Sequence, residues 1–379
     1  MIPDNIMSTT NQDQHYMSKA LELARRGLFS TSPNPRVGCV LVKDNQVISE
    51  GWHERTGDVH AEAMAIEKAT TSLKGVECYV TLEPCNHQGN TPPCTEAIIN
   101  SGISRVVIAM EDPNPMVAGT GIKKLQQAGL TVETGLMEDE ARELNRGFIK
   151  RMTTQLPYVV LKMGMSIDAR TAMASGESQW ISSKKSRSIV QTLRAQSDAV
   201  ITGRQTVVSD NPSMNVRTDE LPLEDQSRLL IQPLRVVLDS KGQLTGSEKV
   251  FQLDDEALWV IGEDSYKPHE VINTLETKVV NDKIDLNDLL QQLAAKGCNE
   301  VLVEAGAELS GAFVNEDLVD ELNLFMAPKL LGDEARGLIK LPGITKLADA
   351  KCFHFSAAKA VGPDVQLIFK RDESCSQES

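Results

Sequence analysis

Residues 80–98 read VTLEPCNHQGNTPPCTEAI, and residues 60–62 upstream of them read HAE. The apolar run over 77–82 reads as a strand stopped by Pro84, so Cys85 stands just past a strand end, and Cys94 opens the next helical pattern. His60-Ala61-Glu62 opens a helix of its own. One imidazole and two thiolates make a three-ligand tetrahedral set whose fourth position is left for water, the arrangement of a catalytic zinc and not of a structural one. A helix start favours the thiolate form of Cys94, because free N–H groups there carry partial positive charge. Two plainer readings use the same residues: a packed histidine beside two buried thiols, or a metal site in which His87 replaces one ligand.

Outward from this stretch, helix-period apolar residues run over 13–28 and end in the proline-bearing segment 30–35. Segments 37–42 and 47–52 flank Asp44-Asn45-Gln46 and read as a hairpin. Beyond it come a helix from 60, a strand over 77–82, a helix from 94, a strand over 106–110, a helix over 122–127, a strand over 131–135 and a helix over 138–150. That alternation predicts an α/β layered domain with a mostly parallel sheet. The polar segment 151–157 places a domain boundary, giving domains of 1–155 and 156–379. The second domain is again α/β, with strands at 158–163, 199–202, 236–239, 258–261, 301–304, 322–326 and 365–370 and helices at 184–196 and 286–296. Its closing all-strand stretch predicts a mixed sheet.

A chain of 379 residues fits two or three domains, and with 41% hydrophobic and 24% charged residues it is globular in composition. No apolar run approaches the roughly 18 residues that span a bilayer, and the polar start lacks a signal-peptide core. Seven cysteines are odd in number and sparse, which does not fit a secreted disulfide framework and points to a cytoplasmic protein with thiols available for metal. The net charge of −14 divides into −5 on 1–150 and −9 on 151–379, so both halves repel a phosphate backbone and nucleic-acid binding is disfavoured. Residues 184–217 run against the trend: Lys184, Lys185, Arg187, Arg194, Arg204 and Arg217 are opposed only by Asp198 and Asp210. This patch reads either as a solvated helix face or as a site for a small phosphorylated ligand.

H-x-E followed by P-C-x-x-C marks zinc deaminases, in which the Glu moves protons and does not bind the metal. Here eight residues, 86–93, part the cysteines where that pattern has two. The stretches TSPNPRVGCVLV, HAE, VTLEPCNHQGNTPPCTEAI and EDPNPMVAGTGI resemble the deaminase half of the bifunctional riboflavin-biosynthesis deaminase/reductase family, whose members share the long intercysteine loop. LKMGMSIDARTAMASGESQWIS, LRAQSDAVITGRQTVVSDNPSMNVR, VEAGAELSGAF and APKLLG resemble its reductase half. The resemblance implies a cytidine-deaminase-like α/β/α domain followed by a dihydrofolate-reductase-like α/β domain. It further implies zinc on His60, Cys85 and Cys94, with Glu62 as the catalytic proton carrier while a zinc-activated water displaces ammonia from a diaminopyrimidinone ribosyl phosphate. Positions i and i+2 on a helix point about 200° apart, so only a first-turn placement lets His60 and Glu62 reach one cavity. Asn34 matches the family's substrate-contacting Asn and reads equally as a plain turn residue.

In the second half no G-x-G-x-x-G follows a strand: Gly119-Thr120-Gly121 is followed by Lys124, and Gly306 to Gly311 lacks the Lys-Ser/Thr of a P-loop. Val301 to Gly306 nevertheless runs as a strand into glycine and then into the helix-like AELSGAF. Free N–H groups at that turn suit a pyrophosphate, or the turn holds nothing. The resemblance implies NADPH contacts at Gly164, Trp180, Thr206, Asp210 and Ser240 and along Gly306, Ala307, Glu308, Leu309, Ser310, Gly311 and Ala312. It implies substrate contacts at Ser178, Arg194, Met214, Arg217 and Glu304, and reduction of the ribosyl chain to ribityl. Trp180 reads alternatively as a core aromatic. Lys162, Asp210 and Glu304 are candidate proton donors. The expected partners are a small phosphorylated pyrimidine and further copies of the chain, with no nucleic acid and no membrane. Two rival readings are a nucleoside or tRNA deaminase with an accessory domain, against which the acidic charge speaks, and a nucleotide-sensing regulator, for which no basic module is visible.

Overall fold

The computed structural model describes residues 4–87, 92–115, 117–263, 265 and 272–371; residues 88–91 of the intercysteine loop and Met116 of the 111–122 motif lie outside them. The chain divides into two compact units, Met1–Gln155 with Arg228–Ile231, and Leu156–Ser227 with Gln232–Ser379. Among the described residues no helix is long and apolar enough to cross a membrane. Cys39, Cys78, Cys85, Cys94 and Cys298 are free thiols, and Cys352 is disulfide-bonded.

The first unit runs α1 (Asp4–Ala24), β1 (Gly38–Lys43), β2 (Gln46–Trp52), α2 (Ala61–Lys68), β3 (Glu77–Val80), α3 (Cys94–Ser101), β4 (Arg105–Ile108), α4 (Thr120–Gln127), β5 (Thr131–Thr134), α5 (Glu138–Leu144) and α6 (Arg146–Thr154). Its sheet has the order β2-β1-β3-β4-β5. Four of its five strands run the same way, with β3–β4 and β4–β5 paired in parallel, and β1 alone runs opposite, antiparallel to both β2 and β3. The cause is local, because Asp44 and Asn45 both adopt positive φ, and so tight a turn joins only antiparallel neighbours.

Two further features differ from the periodicity. The helix expected over 138–150 breaks at Asn145, whose buried side chain accepts from the Arg36 amide (2.8 Å) and donates to the Arg36 carbonyl (3.0 Å). The segment read as a polar linker is helical through Thr154, where it continues α6, whose Gly147 is buried and whose Ile149 packs on the core. Gly51 lets β2 touch α2: a Cβ there would sit 2.2 Å from the Ala61 carbonyl oxygen, at the start of the helix that carries Glu62.

The second unit runs β6 (Tyr158–Ser166), β7 (Arg170–Ala172), α7 (Lys184–Gln196), β8 (Ala199–Gly203), α8 (Arg204–Asp210), β9 (Leu234–Leu238), β10 (Ala257–Gly262), β11 (Thr274–Thr277), β12 (Val279–Val280), β13 (Lys283–Ile284), α9 (Leu286–Ala295), β14 (Glu300–Val303), α10 (Ala307–Asn315), β15 (Glu321–Ala327), β16 (Arg336–Gly337), β17 (Phe353–Val361) and β18 (Asp364–Arg371). Nine of these strands form one sheet in the order β11-β10-β9-β8-β14-β6-β15-β18-β17, parallel except at the β15–β18 and β18–β17 pairings. Alternate residues of β6 enter two cores. Val159, Leu161 and Met163 meet Leu289, Leu293 and Phe313 on one face, while Val160 meets Val200, Val237 and Trp259 on the other. Burial on both faces makes the central strands read as near-continuous apolar runs. The edge strand β17 is largely exposed and carries no such run, so it escaped the periodicity.

Candidate active site

In the first unit three chain segments converge. His60 caps α2 with an extended backbone (φ −73°, ψ 160°), Cys85 follows β3, and Cys94 is the first residue of α3. His60 Nδ1 lies 3.2 Å from Cys94 Sγ and 3.5 Å from Cys85 Sγ, and the Cys94 amide donates to Cys85 Sγ at 3.3 Å. All three ligand atoms fall within 4.8 Å of one another. The extended cap also resolves the helical-wheel conflict: His60 precedes the helix instead of sitting on it, so the angle between i and i+2 does not apply.

The charges around this cluster ask for a cation. A hydrogen bond from the Cys94 thiol, with another from His60, holds Cys85 down to about 4, while that same contact with Cys85 and burial push Cys94 far up. Glu62, 4% exposed, is pushed up to about 7 by burial and then by the negative charge of Cys85. One carboxyl and two sulfurs therefore share a buried pocket in which they cannot all be anionic. A divalent ion would offset that repulsion, and one imidazole with two thiolates is a zinc-type donor set. His87 is exposed and makes no part of the cluster.

Two further residues support this pocket: His53, which carried no signal by type or spacing, and Glu83, which stood in the sequence only as part of a motif. His53, 3% exposed, lies 3.2 Å through Nδ1 from the Val59 carbonyl and 3.1 Å through Nε2 from Asn34 Nδ2. A carbonyl accepts only, so Nδ1 carries the proton and Nε2 accepts from Asn34, which turns the Asn34 oxygen away from His53. The His53 ring meets the His60 ring edge-on, with centroids 5.6 Å apart. Glu83, the Glu of Glu-Pro-Cys, accepts from the backbone N–H groups of Asp112 (3.1 Å), Gly119 (2.9 Å), Gly121 (2.8 Å) and Ile122 (3.2 Å). Its carboxylate thus ties the 111–122 motif to the loop that bears Cys85.

In the second unit Glu304 follows β14, with Oε1 2.6 Å from Arg194 Nε and Oε2 3.4 Å from Lys162 Nζ. Burial alone would push Glu304 up, but Arg194 and Lys162 outweigh it and hold the group at about 2. Arg194 also donates to the Asn215 carbonyl at 2.9 Å. Arg217 grips Glu220 through Nε (2.6 Å) and Nη2 (2.9 Å). Trp180 is not a core aromatic: it is 62% exposed, with the Arg187 guanidinium 4.3 Å above its ring.

Other expected contacts spread along the carboxyl ends of the strands. A Cβ at Gly164 or Gly306 would meet open space, leaving backbone accessible there. Ala307 and Glu308 open α10, and Glu308 pairs with Lys340 at 2.8 Å. Ser310 and Gly311 face inward instead: a Cβ at Gly311 would lie 2.0 Å from the Lys340 carbonyl oxygen, and Ser310 Oγ donates to the Ala305 carbonyl. Leu309 and Ala312 pack on the core. Thr206 and Asp210 lie in α8, and Ser240 follows β9. Ser178 is half-buried after β7, whereas Met214 is 3% exposed, packs with Val160 and Val200, and has φ 58°.

Residues 10–110 match the family model of the cytidine and deoxycytidylate deaminase zinc-binding region, and residues 157–367 match that of the RibD C-terminal domain. The chain is 50% identical over 361 residues to the riboflavin biosynthesis protein RibD of Escherichia coli K12, covering 94% of this chain and 98% of that one. A solved RibD of Acinetobacter baumannii superposes with a TM-score of 0.88 at 42% identity, covering 96% of this chain and 100% of that one. A diaminohydroxyphosphoribosylaminopyrimidine deaminase/5-amino-6-(5-phosphoribosylamino)uracil reductase of Thermotoga maritima superposes with a TM-score of 0.85 at 32% identity, covering 96% of this chain and 100% of that one.

Proposed function

The chain belongs to the RibD family of bifunctional riboflavin-biosynthesis deaminase/reductases, and from that premise we propose how its residues divide the two reactions. Residues 1–155 deaminate a diaminopyrimidinone ribosyl phosphate, and residues 156–379 reduce the ribosyl chain of the aminouracil product to ribityl. The observation that carries this reading is the convergence of His60, Cys85 and Cys94 on one point beside the buried Glu62.

His60, Cys85 and Cys94 hold zinc. Bound there, zinc lowers the pKa of water from about 16 to roughly 7. A nearby dication favours the ionised carboxyl, so Glu62 begins as the base that takes the proton from water and ends as the acid that passes it to the ring and to the departing amine. Asn34, turned by His53, presents its oxygen to the substrate.

Gly164, Trp180, Thr206, Asp210, Ser240 and the turn at Gly306 to Glu308 would hold NADPH, which would supply the hydride in the second domain. Substrate meets Ser178, Glu304 and Arg217, whose side chain is 39% exposed; Arg194, bonded on two sides, orients Glu304. Glu304, held at about 2, has no proton to give at neutral pH, so the Lys162 ammonium 3.4 Å away is the donor at hand. The protein works in the cytoplasm as a homo-oligomer on small phosphorylated pyrimidines, with no nucleic-acid partner.

The test is one assay of the purified chain on the pathway substrate. Ammonia release followed by stoichiometric NADPH oxidation is expected. Ammonia release with no NADPH oxidation would remove the reductase assignment.

A further inference from the structure

The segment that carries Met214 and Arg217 belongs to no strand or helix, and side chains from elsewhere hold its backbone. Arg194 donates to the Asn215 carbonyl at 2.9 Å. The Gln232 side-chain amide accepts from the Val216 N–H and donates to the Val216 carbonyl, each at 2.9 Å. The next amide, that of Arg217, donates to Gln191 Oε1 at 3.1 Å. Gln191 lies on α7, is 2% exposed, and donates through Nε2 to Glu220 Oε2 at 3.3 Å. Only one orientation of its amide serves both partners, because the oxygen must face an N–H and the nitrogen a carboxylate. This buried side chain therefore spans both ends of the Arg217–Glu220 ion pair, whose turn is closed by a bond from the Glu220 amide to the Arg217 carbonyl at 3.0 Å.

Glu220 takes Nε and one Nη2 proton of Arg217, two of the five guanidinium donors, so three N–H groups remain along the outer edge. That edge is the one with which an arginine grips a phosphate through two parallel bonds. An arginine already fixed on its inner edge loses less freedom when it binds than one that must first be ordered. Three residues further along α7, on the same face, Arg194 holds Glu304 at 2.6 Å. One helix face thus seats both the loop that bears Arg217 and the carboxylate Glu304. Resting on the reading above that Arg217 and Glu304 meet the phosphorylated substrate, we infer that Gln191 is a positioning residue of the reductase. By holding the Arg217 amide and Glu220 together, it aims the outer edge of the Arg217 guanidinium at the substrate phosphate and so sets the preference for phosphorylated over dephosphorylated compounds.

The experiment is a double-mutant cycle on the full zinc-loaded chain, with Gln191→Met, Arg217→Ala and the two combined. Each protein is titrated calorimetrically with ribose 5-phosphate and assayed for NADPH-dependent reduction of the deaminated intermediate and of its dephosphorylated analogue. Gln191→Met keeps the length of the buried side chain and removes both polar ends. It should bind ribose 5-phosphate roughly 5- to 30-fold more weakly and raise KM for the intermediate by a like factor, with kcat within about twofold. Reduction of the dephosphorylated analogue should stay within about twofold. On the Arg217→Ala background the same substitution should cost less than about twofold, because no guanidinium is left to aim. Glu220→Ala, at a half-exposed position, should show part of the loss and should likewise lose its effect without Arg217; it carries the cycle if Gln191→Met does not fold. Unchanged ribose 5-phosphate affinity in Gln191→Met and Glu220→Ala overturns the inference. An equal loss with and without Arg217 also overturns it, by making Gln191 a support of the fold alone. Arg217→Ala that binds ribose 5-phosphate as tightly as the unmodified chain overturns instead the reading that Arg217 meets the substrate phosphate.

Discussion

Glu304 Oε1 stands 2.6 Å from Arg194 Nε, with the two side chains only 11% and 10% exposed. A carboxylate so placed costs desolvation and is kept ionised only by its neighbours, Arg194 first and Lys162 second. The pair therefore makes the stability of the second unit depend on pH.

Glu304 is held at about 2, below the ordinary 4.5 of a free Glu, so its ionised form stabilises the fold above pH 4.5 and that contribution fades as pH falls from 4.5 toward 2. It amounts to at most about 3 kcal/mol, at 1.36 kcal/mol per pKa unit. Glu304→Gln should melt lower than the unmodified protein at pH 7, and the gap should narrow between pH 5 and 3.5. A constant gap across that range would mean that ionisation of Glu304 does not stabilise the fold.

Cys85→Ser and Cys94→Ser should each lose zinc, whereas His87→Ala should keep one zinc per chain, because His87 is exposed and outside the cluster. Metal analysis of the purified variants reads this out directly. Full zinc retention in both serine variants would refute the ligand set.

Glu62→Gln keeps size and removes the proton-carrying carboxyl, so deamination should fall by about 10²- to 10⁴-fold. Zinc content should be unchanged. NADPH-dependent reduction of separately supplied deaminated intermediate should stay near the unmodified rate, since Glu62 belongs to the first unit and Glu304 and Lys162 to the second. Loss of both activities would replace two independent sites with an obligatory coupling.

Glu83→Gln puts an amide N–H where a carboxylate oxygen now faces two of the four backbone donors that Glu83 accepts. Unfolding of the first unit should become easier by about 2–4 kcal/mol, the cost of buried donors left unsatisfied. Deamination should drop and reduction should not. Calorimetric melting checks the first statement and the two half-reaction assays the second; an unchanged melt would show that the 111–122 loop is held by other contacts.

The sequence alone determined the parts whose chemistry is local. A zinc set needs particular residue types at strand and helix ends, so His60 could be picked out from HAE, Cys85 from EPC and Cys94 from the helix start that follows, with Glu62 beside them as the proton carrier that the resemblance implies. The central strands of the second unit were legible because burial on both faces makes each a short apolar run. Whether a residue's charge is free or spent was not legible, because its partner is remote in the chain: Glu304 lies 110 positions from Arg194. Six basic residues in a row of 34 looked like one patch, yet the fold neutralises Arg194 and Arg217 and leaves the fork of Arg204 unused. Asn145 breaks a helix for the same kind of reason, through a clasp on Arg36 109 residues away. Glu83 looked like part of a motif and proved to be the anchor of a loop that begins about 30 residues later. Periodicity and residue type report what each segment can do by itself; hydrogen bonds and ion pairs between distant segments form only once the chain has folded, and tertiary structure alone decides them.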